Sequence, residues 1–137
     1  MDLLARREHA VQELRRKLVA RGFQDALIET ALATLAGEGL QDDARFADAF
    51  VHARVQRGQG PVKIRAGLFE RGVEAELAAA AMEASGADWV ALAREARLKR
   101  FGEVIPDEYR ERARQMRFLA GRGFSAEQVH AAIGEDD

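Results

Sequence analysis

The sequence predicts an all-α protein built from tandem three-helix repeats that form an elongated, curved helical array. Three observations carry that expectation. Apolar residues recur at helical spacing along most of the chain. The composition is rich in alanine and leucine, with 7% aromatics and two prolines, which favours helices over strands. A short pattern of Arg-Gly followed by an apolar residue also returns three times.

The pattern reads Arg21-Gly22-Phe23, Arg71-Gly72-Val73 and Arg122-Gly123-Phe124, at spacings of 50 and 51 residues. Leu18, Leu68 and Leu119 each precede the arginine by three positions, and Leu32, Met82 and Ile133 follow the glycine by ten. Each Arg-Gly pair reads as a helix end. Glycine takes the left-handed conformation that closes a helix, and arginine suits the negative end of the helix dipole.

The repeats are expected over residues 1–38, 39–86 and 87–137 of a single domain. The first copy is short. Residues 1–8 hold two turns at most, and helices follow over about 10–21 and 24–36. In the middle copy the first helix covers about 42–58. Asp42 and Asp43 stand at its start, and Phe46, Phe50, Val51 and Val55 form its apolar stripe. The second covers about 61–71, opened by Pro61, with Ile64 and Leu68 on its buried side. The third covers about 74–85 and ends at Gly86. In the last copy Asp88 caps a helix holding Trp89, Leu92, Ala96 and Leu98. A loop over 102–106 leads to a helix over about 107–122 and another over 125–133. Ser125 and Gln128 form a capping box at the start of the latter. The turn at Gly58-Gln59-Gly60 is too short to separate domains. Repeats of this kind bury their apolar faces against their neighbours.

Composition narrows the chemistry. The chain lacks cysteine, so disulfides and thiolate metal sites are excluded, which fits a reducing cytosol. No apolar run approaches the roughly 20 residues needed to cross a bilayer, and the N-terminus lacks the order of a signal peptide. A soluble, intracellular protein without membrane attachment is expected. His9, His52 and His130 lie far apart and read as surface or boundary residues rather than metal ligands. Ser85 and Ser125 read as helix-end residues, not nucleophiles. Gly58-Gln59-Gly60-Pro61 lacks the ending of a phosphate-cradling loop, and no acid–base pair stands out. No catalytic, metal or cofactor site is expected.

The net charge of −2 conceals a segregation. Of 21 basic residues, 18 are arginine, whose planar fork suits phosphates and carboxylates, although a GC-rich genome also produces such a bias. Segments 10–21, 54–71 and 94–122 carry +3, +4 and +4, whereas 23–43, 73–88 and 124–137 carry −5, −4 and −4. If the repeats stack in one orientation, the second helices build a basic stripe and the third helices an acidic one. A basic stripe suits phosphates or an acidic protein surface. The plainer reading is a set of solvated helix faces with internal ion pairs. Trp89 sits on an apolar stripe, where core packing is expected.

The residues also resemble a known family. Gly39-Leu40-Gln41-Asp42-Asp43-Ala44-Arg45-Phe46-Ala47, then Phe50-Val51 and Arg54, are similar to the signature of the RecX family. The likeness continues through Gly58, Gly60-Pro61, Ile64, Leu68 and Arg71-Gly72-Val73. Glu13-Leu14 with Lys17-Leu18 resembles the family's N-terminal repeat. Asp88-Trp89, Phe101-Gly102, Arg117-Phe118-Leu119 and Arg122-Gly123-Phe124 resemble its C-terminal repeat. Two positions depart from the pattern. Gly67 stands where an acidic residue is usual, and Ala10 where a serine cap is expected. The family usually begins with a full first helix, which the first repeat here lacks.

The resemblance implies a non-enzymatic regulator that binds the RecA–single-stranded-DNA filament. It would oppose the filament's ATP hydrolysis, strand exchange and co-protease action, and so modulate DNA repair, recombination and the SOS response. The family motif supplies Arg54 and Arg71 as candidate contacts. The charge pattern adds Arg57, Lys63, Arg65, Arg94, Arg97, Lys99, Arg100, Arg114 and Arg117. Arg71 also reads as a helix-end residue, and Arg54 as a partner of Asp48 or Glu70. The RecA nucleoprotein filament is the expected partner, with direct DNA contact left open and a monomer as the expected state. Two other readings stand beside it, a general DNA-binding module and a helical scaffold for another protein. Each Arg-Gly joint resembles a helix-turn-helix, yet the helix that follows is acidic where a reader of DNA needs a basic one.

Overall fold

The structure is a computed structural model that describes residues 8–39 and 41–134. Residues 1–7, where a short first helix was expected, Leu40 and the acidic residues 135–137 lie outside the described residues. Among the described residues the chain is all helical, without strands. The helices are α1 Val11–Ala20, α2 Asp25–Gly37, α3 Asp43–Gln56 and α4 Pro61–Glu70. They continue as α5 Ala75–Ala84, α6 Trp89–Phe101, α7 Tyr109–Gly121 and α8 Ala126–Ala132.

Local chemistry sets most of the helix ends. Ser125 and Gln128 form the expected capping box: the Ser125 hydroxyl accepts from the Gln128 N–H at 3.2 Å, and the Ser125 N–H donates to Gln128 Oε1 at 2.8 Å. Asp88 caps α6, accepting from the Ala91 N–H at 3.0 Å. Helix α7 starts two residues later than expected because Glu108, not Asp107, accepts from the Glu111 N–H at 3.0 Å. Ala10 has no cap to offer α1. Asp43, distant in sequence, takes its place by accepting from the Val11 N–H at 2.8 Å, and Glu13 accepts from the Ala10 N–H at 3.2 Å. The orphan donors at this helix start therefore find acceptors without a local cap.

The chain divides into two compact units, Met1–His52 with Gly67–Ser85 and Ala53–Ala66 with Gly86–Asp137, so the border falls inside α3 and α4. In the first unit, Leu14, Ile28, Leu32 and Leu35 form a core between α1 and α2, with Val11 and Leu18 packed against it. Phe46, Ala47, Phe50 and Val51 are buried along α3, as the apolar stripe requires. The Phe50 ring lies against Gly67: a Cβ there would sit 2.7 Å from Phe50 Cζ, so an acidic side chain would require the ring to shift. Burial contradicts one expectation, because His9 is interior rather than at the surface. It is 2% exposed, with its Nε2 3.0 Å from Lys17 Nζ.

In the second unit, Ala93, Leu119, Phe124, Val129 and Ala132 form the core, with Trp89, Leu92, Ala96, Met116 and Phe118 packed on it. Trp89 thus packs as expected. Leu98 does not belong to the stripe assigned to it, because it is exposed. It lies two residues, about 200° of helical turn, beyond Ala96 and so points to the other side of α6. Each fully buried leucine or isoleucine, such as Leu14, Ile28, Leu119 and Ile133, contributes about 1.5–3 kcal/mol.

An Arg-Gly turn docks on an earlier second helix in each unit. In the first, the Arg71-Gly72 turn meets the start of α1. Arg16 Nη1 donates to the Glu70 carbonyl at 2.7 Å, and Arg71 pairs with Glu13 at 3.5 Å. In the second, the Arg122-Gly123 turn meets the start of α4. The Gly60 N–H donates to the Arg122 carbonyl at 2.8 Å and the Val62 N–H to the Gly123 carbonyl at 2.9 Å. Gly72 and Gly123 have φ of 78° and 103°, and both also face close neighbours.

Candidate binding surface

The expected contact residues fall into distinct environments. Arg71 is a joint residue. Besides its pair with Glu13, it donates to the Gly67 carbonyl at 3.0 Å and stands 4.8 Å over the Phe50 ring. Arg54 is half-buried and reaches Gln59 Oε1 at 3.4 Å. Lys63 is exposed and donates to the Gly121 carbonyl at 3.2 Å, a cation at a helix C-terminus. Arg65 is exposed on α4, and Arg94 on α6 reaches the Ala131 carbonyl at 3.4 Å.

Arg97 departs from the basic set. At 4% exposure it is buried, donating to Gln115 Oε1 at 3.1 Å and to the Val104 and Glu103 carbonyls at 3.3 and 3.5 Å. It therefore ties the loop after α6 to α7 and has no free donor face for a partner. The signal lay in its position, one turn beyond Ala93 on the buried face of the helix. Arg114 is exposed and held by Glu111 through a two-pronged contact at 2.9 and 3.0 Å, with its guanidinium 5.0 Å over Phe101. That hydrogen bond, with a second from Gln115, holds the Glu111 carboxyl below the ordinary glutamate range and raises Arg114. Both groups are exposed, so solvent screens most of the interaction.

The other candidates gather around hollows of the second unit. Arg57, Lys99 and Arg100 line one of about 420 Å³. Arg122 joins them, a residue that sequence reasoning read only as a helix end. Its Nη2 donates to the Arg57 carbonyl at 3.0 Å, and its guanidinium lies 5.7 Å from the Phe118 ring. Arg100 stands 5.6 Å from the same ring. Glu95, the acid at this rim, is paired with Lys99 at 3.4 Å. Gly58 lines the same hollow, and a Cβ there would come within 2.9 Å of Arg122 Nη2. Arg117 lines a second hollow of about 390 Å³ with Tyr109, Arg112, Met116 and His130. Among the described residues no cluster of three His, Cys, Asp or Glu side chains could hold a metal. No described helix is long and apolar enough to cross a membrane.

Fold and surface together define an all-α chain of tandem three-helix repeats that gathers guanidinium and ammonium groups at exposed hollows. The models for the first, second and third three-helix domains of RecX match residues 1–35, 42–82 and 87–133. Curated relatives named regulatory protein RecX agree along the chain. The one from Halorhodospira halophila is 47% identical over 137 residues, covering 100% of this chain and 85% of the relative. The one from Chromohalobacter salexigens is 52% identical over 131 residues, covering 96% and 86%. The crystal structure of RecX from Lactobacillus salivarius superposes with a TM-score of 0.78 at 21% identity, covering 98% of this chain and 89% of that one, which is a likeness of fold. The chain belongs to the RecX family of regulatory proteins.

Proposed function

We propose that this chain binds the RecA–single-stranded-DNA filament in the cytoplasm and restrains its ATP hydrolysis, strand exchange and co-protease action, acting by binding rather than by catalysis. In this reading it works as a monomer and so tempers recombination, DNA repair and the SOS response. The observation that carries the reading is the match of all three RecX three-helix domains in order along one chain. The exposed cations Arg57, Lys63, Arg65, Arg94, Lys99, Arg100 and Arg117 supply the chemistry for a partner rich in carboxylates and phosphates.

The test is ATP hydrolysis by RecA on single-stranded DNA with the chain added well below one molecule per RecA. Inhibition at that ratio supports a filament-level regulator, and full activity even at equimolar protein overturns the reading. Charge reversal at Arg57, Lys63 and Arg65 together is expected to weaken filament binding about tenfold or more at physiological salt. Tight binding to naked duplex DNA with no effect on RecA would favour the general DNA-binding reading instead.

A further inference from the structure

The hollow of about 420 Å³ in the second unit combines two chemistries that a phosphate backbone does not use together. Its rim carries Arg57, Lys99, Arg100 and Arg122 against the single carboxylate Glu95, which Lys99 already engages. Its lining also has an apolar part, Val55, Leu92, Ala96 and the Phe118 ring. A phosphodiester chain is held by charge and hydrogen bonds, and single strands add stacking on free aromatic rings. Here the Phe118 ring in the lining already has the Arg100 and Arg122 guanidiniums at 5.6 and 5.7 Å and packs edge-to-face with Phe101, their centroids 5.3 Å apart. An apolar side chain flanked by carboxylates, in contrast, would use the apolar and the cationic parts of the lining at once.

Arg122 adds a further observation. Its Nη2 is committed to the Arg57 carbonyl, while its Nε is buried without a hydrogen-bond acceptor. A buried donor without a partner is unfavourable until an acceptor arrives. A carboxylate that shifts the Arg122 side chain enough to reach Nε is a suitable acceptor, because guanidinium and carboxylate form two parallel hydrogen bonds.

We propose that this hollow receives an acidic peptide segment of a protein partner, with one apolar side chain on Val55, Leu92 and Ala96 and carboxylates on Arg57, Arg100 and Arg122. The inference deepens the filament reading by naming the chemistry the partner presents, and it rests on that reading for the partner's identity. The probe is a fluorescein-labelled peptide carrying one leucine among aspartates and glutamates. Its counterparts are the same peptide with serine for leucine and a thymidine oligonucleotide of equal length. Binding is read by fluorescence anisotropy and by the Arg122 Nε–H resonance of the intact protein, which needs no substitution.

The leucine peptide is expected to bind and to move that resonance. Binding should weaken about fivefold for the serine peptide, which loses its apolar contact. It should weaken about tenfold or more for the variant Arg57→Glu with Arg100→Glu, whose folding is checked by its helical circular dichroism. Equal binding of the two peptides overturns the proposal. So does an oligonucleotide that moves the resonance where the peptide does not, or a resonance that answers to neither. No RecA is present, so a silent peptide rejects this site, whereas failure to inhibit ATP hydrolysis rejects the filament reading.

Discussion

At Gly72 the turn after α4 meets the Gln12 side chain, whereas at Gly123 the equivalent turn after α7 meets Lys63 Cβ together with the main chain of Lys63 and Gly60. A Cβ on Gly72 would lie 2.4 Å from Gln12 Cγ, and the joint is held by Arg16 on the Glu70 carbonyl and by Arg71 on Glu13. At the other joint the main chains themselves are bonded, Gly60 to Arg122 and Val62 to Gly123. A Cβ on Gly60 would lie 2.5 Å from the carbonyl carbon and oxygen of Gly123 and from the nitrogen of Phe124. The same Arg-Gly device thus makes a joint held by side-chain bonds in one unit and a joint held by main-chain hydrogen bonds in the other.

The largest effect separates the two joints directly. Gly60→Ala is expected to destabilise the protein by about 3 kcal/mol, because rigid backbone has to shift and two hydrogen bonds are strained. Gly72→Ala is expected to cost about 2 kcal/mol, from its positive φ and from Gln12 Cγ and Cβ, which a methyl there would meet at 2.4 and 2.7 Å, but without straining a main-chain hydrogen bond between the two elements. Urea unfolding of both variants measures the difference, and equal losses would show that the two joints do not differ in rigidity. A smaller effect tests the side-chain joint alone. Glu13→Gln should cost about 1 kcal/mol by removing the charge opposite Arg71, a pair that is partly shielded from solvent.

The smallest effect concerns pH. A hydrogen bond from Arg15 holds the Glu29 carboxyl below the ordinary glutamate range, and Arg114 with Gln115 does the same for Glu111. Lowered values mean that each pair stabilises the fold above the ordinary glutamate range. That contribution disappears as pH falls through the lowered value. Both carboxyls are exposed, so the contribution is small and weakens with salt. A carbon NMR titration should show both groups titrating low. Arg15→Gln should return Glu29, and not Glu111, to the usual range.

Much of the fold was legible because its signals are local. The capping box at Ser125, the Asp88 cap and the glycine turns each depend on residues a few positions apart. The unreadable parts depend on distant partners. Nothing near Ala10 announces that Asp43 will satisfy the start of α1. Nothing near Arg122 announces that it will line a hollow with Arg57, because that proximity arises only when α7 packs back on the α3–α4 turn. Arg97 shows the opposite failure. Its helical phase, one turn beyond Ala93, was readable and marks it as buried, whereas its place in a run of cations does not.

The bonds at Gly60 and Val62 also govern the order of events in a growing chain. As synthesis proceeds, the first turn of α4 emerges with two donors whose acceptors, the carbonyls of Arg122 and Gly123, have not yet been made. Contacts of such long sequence separation form late and slow folding. The start of α4 therefore reaches its final hydrogen bonding only after the Arg122-Gly123 turn of the last repeat has left the ribosome, and a chain stopped before that repeat would keep that edge unfinished.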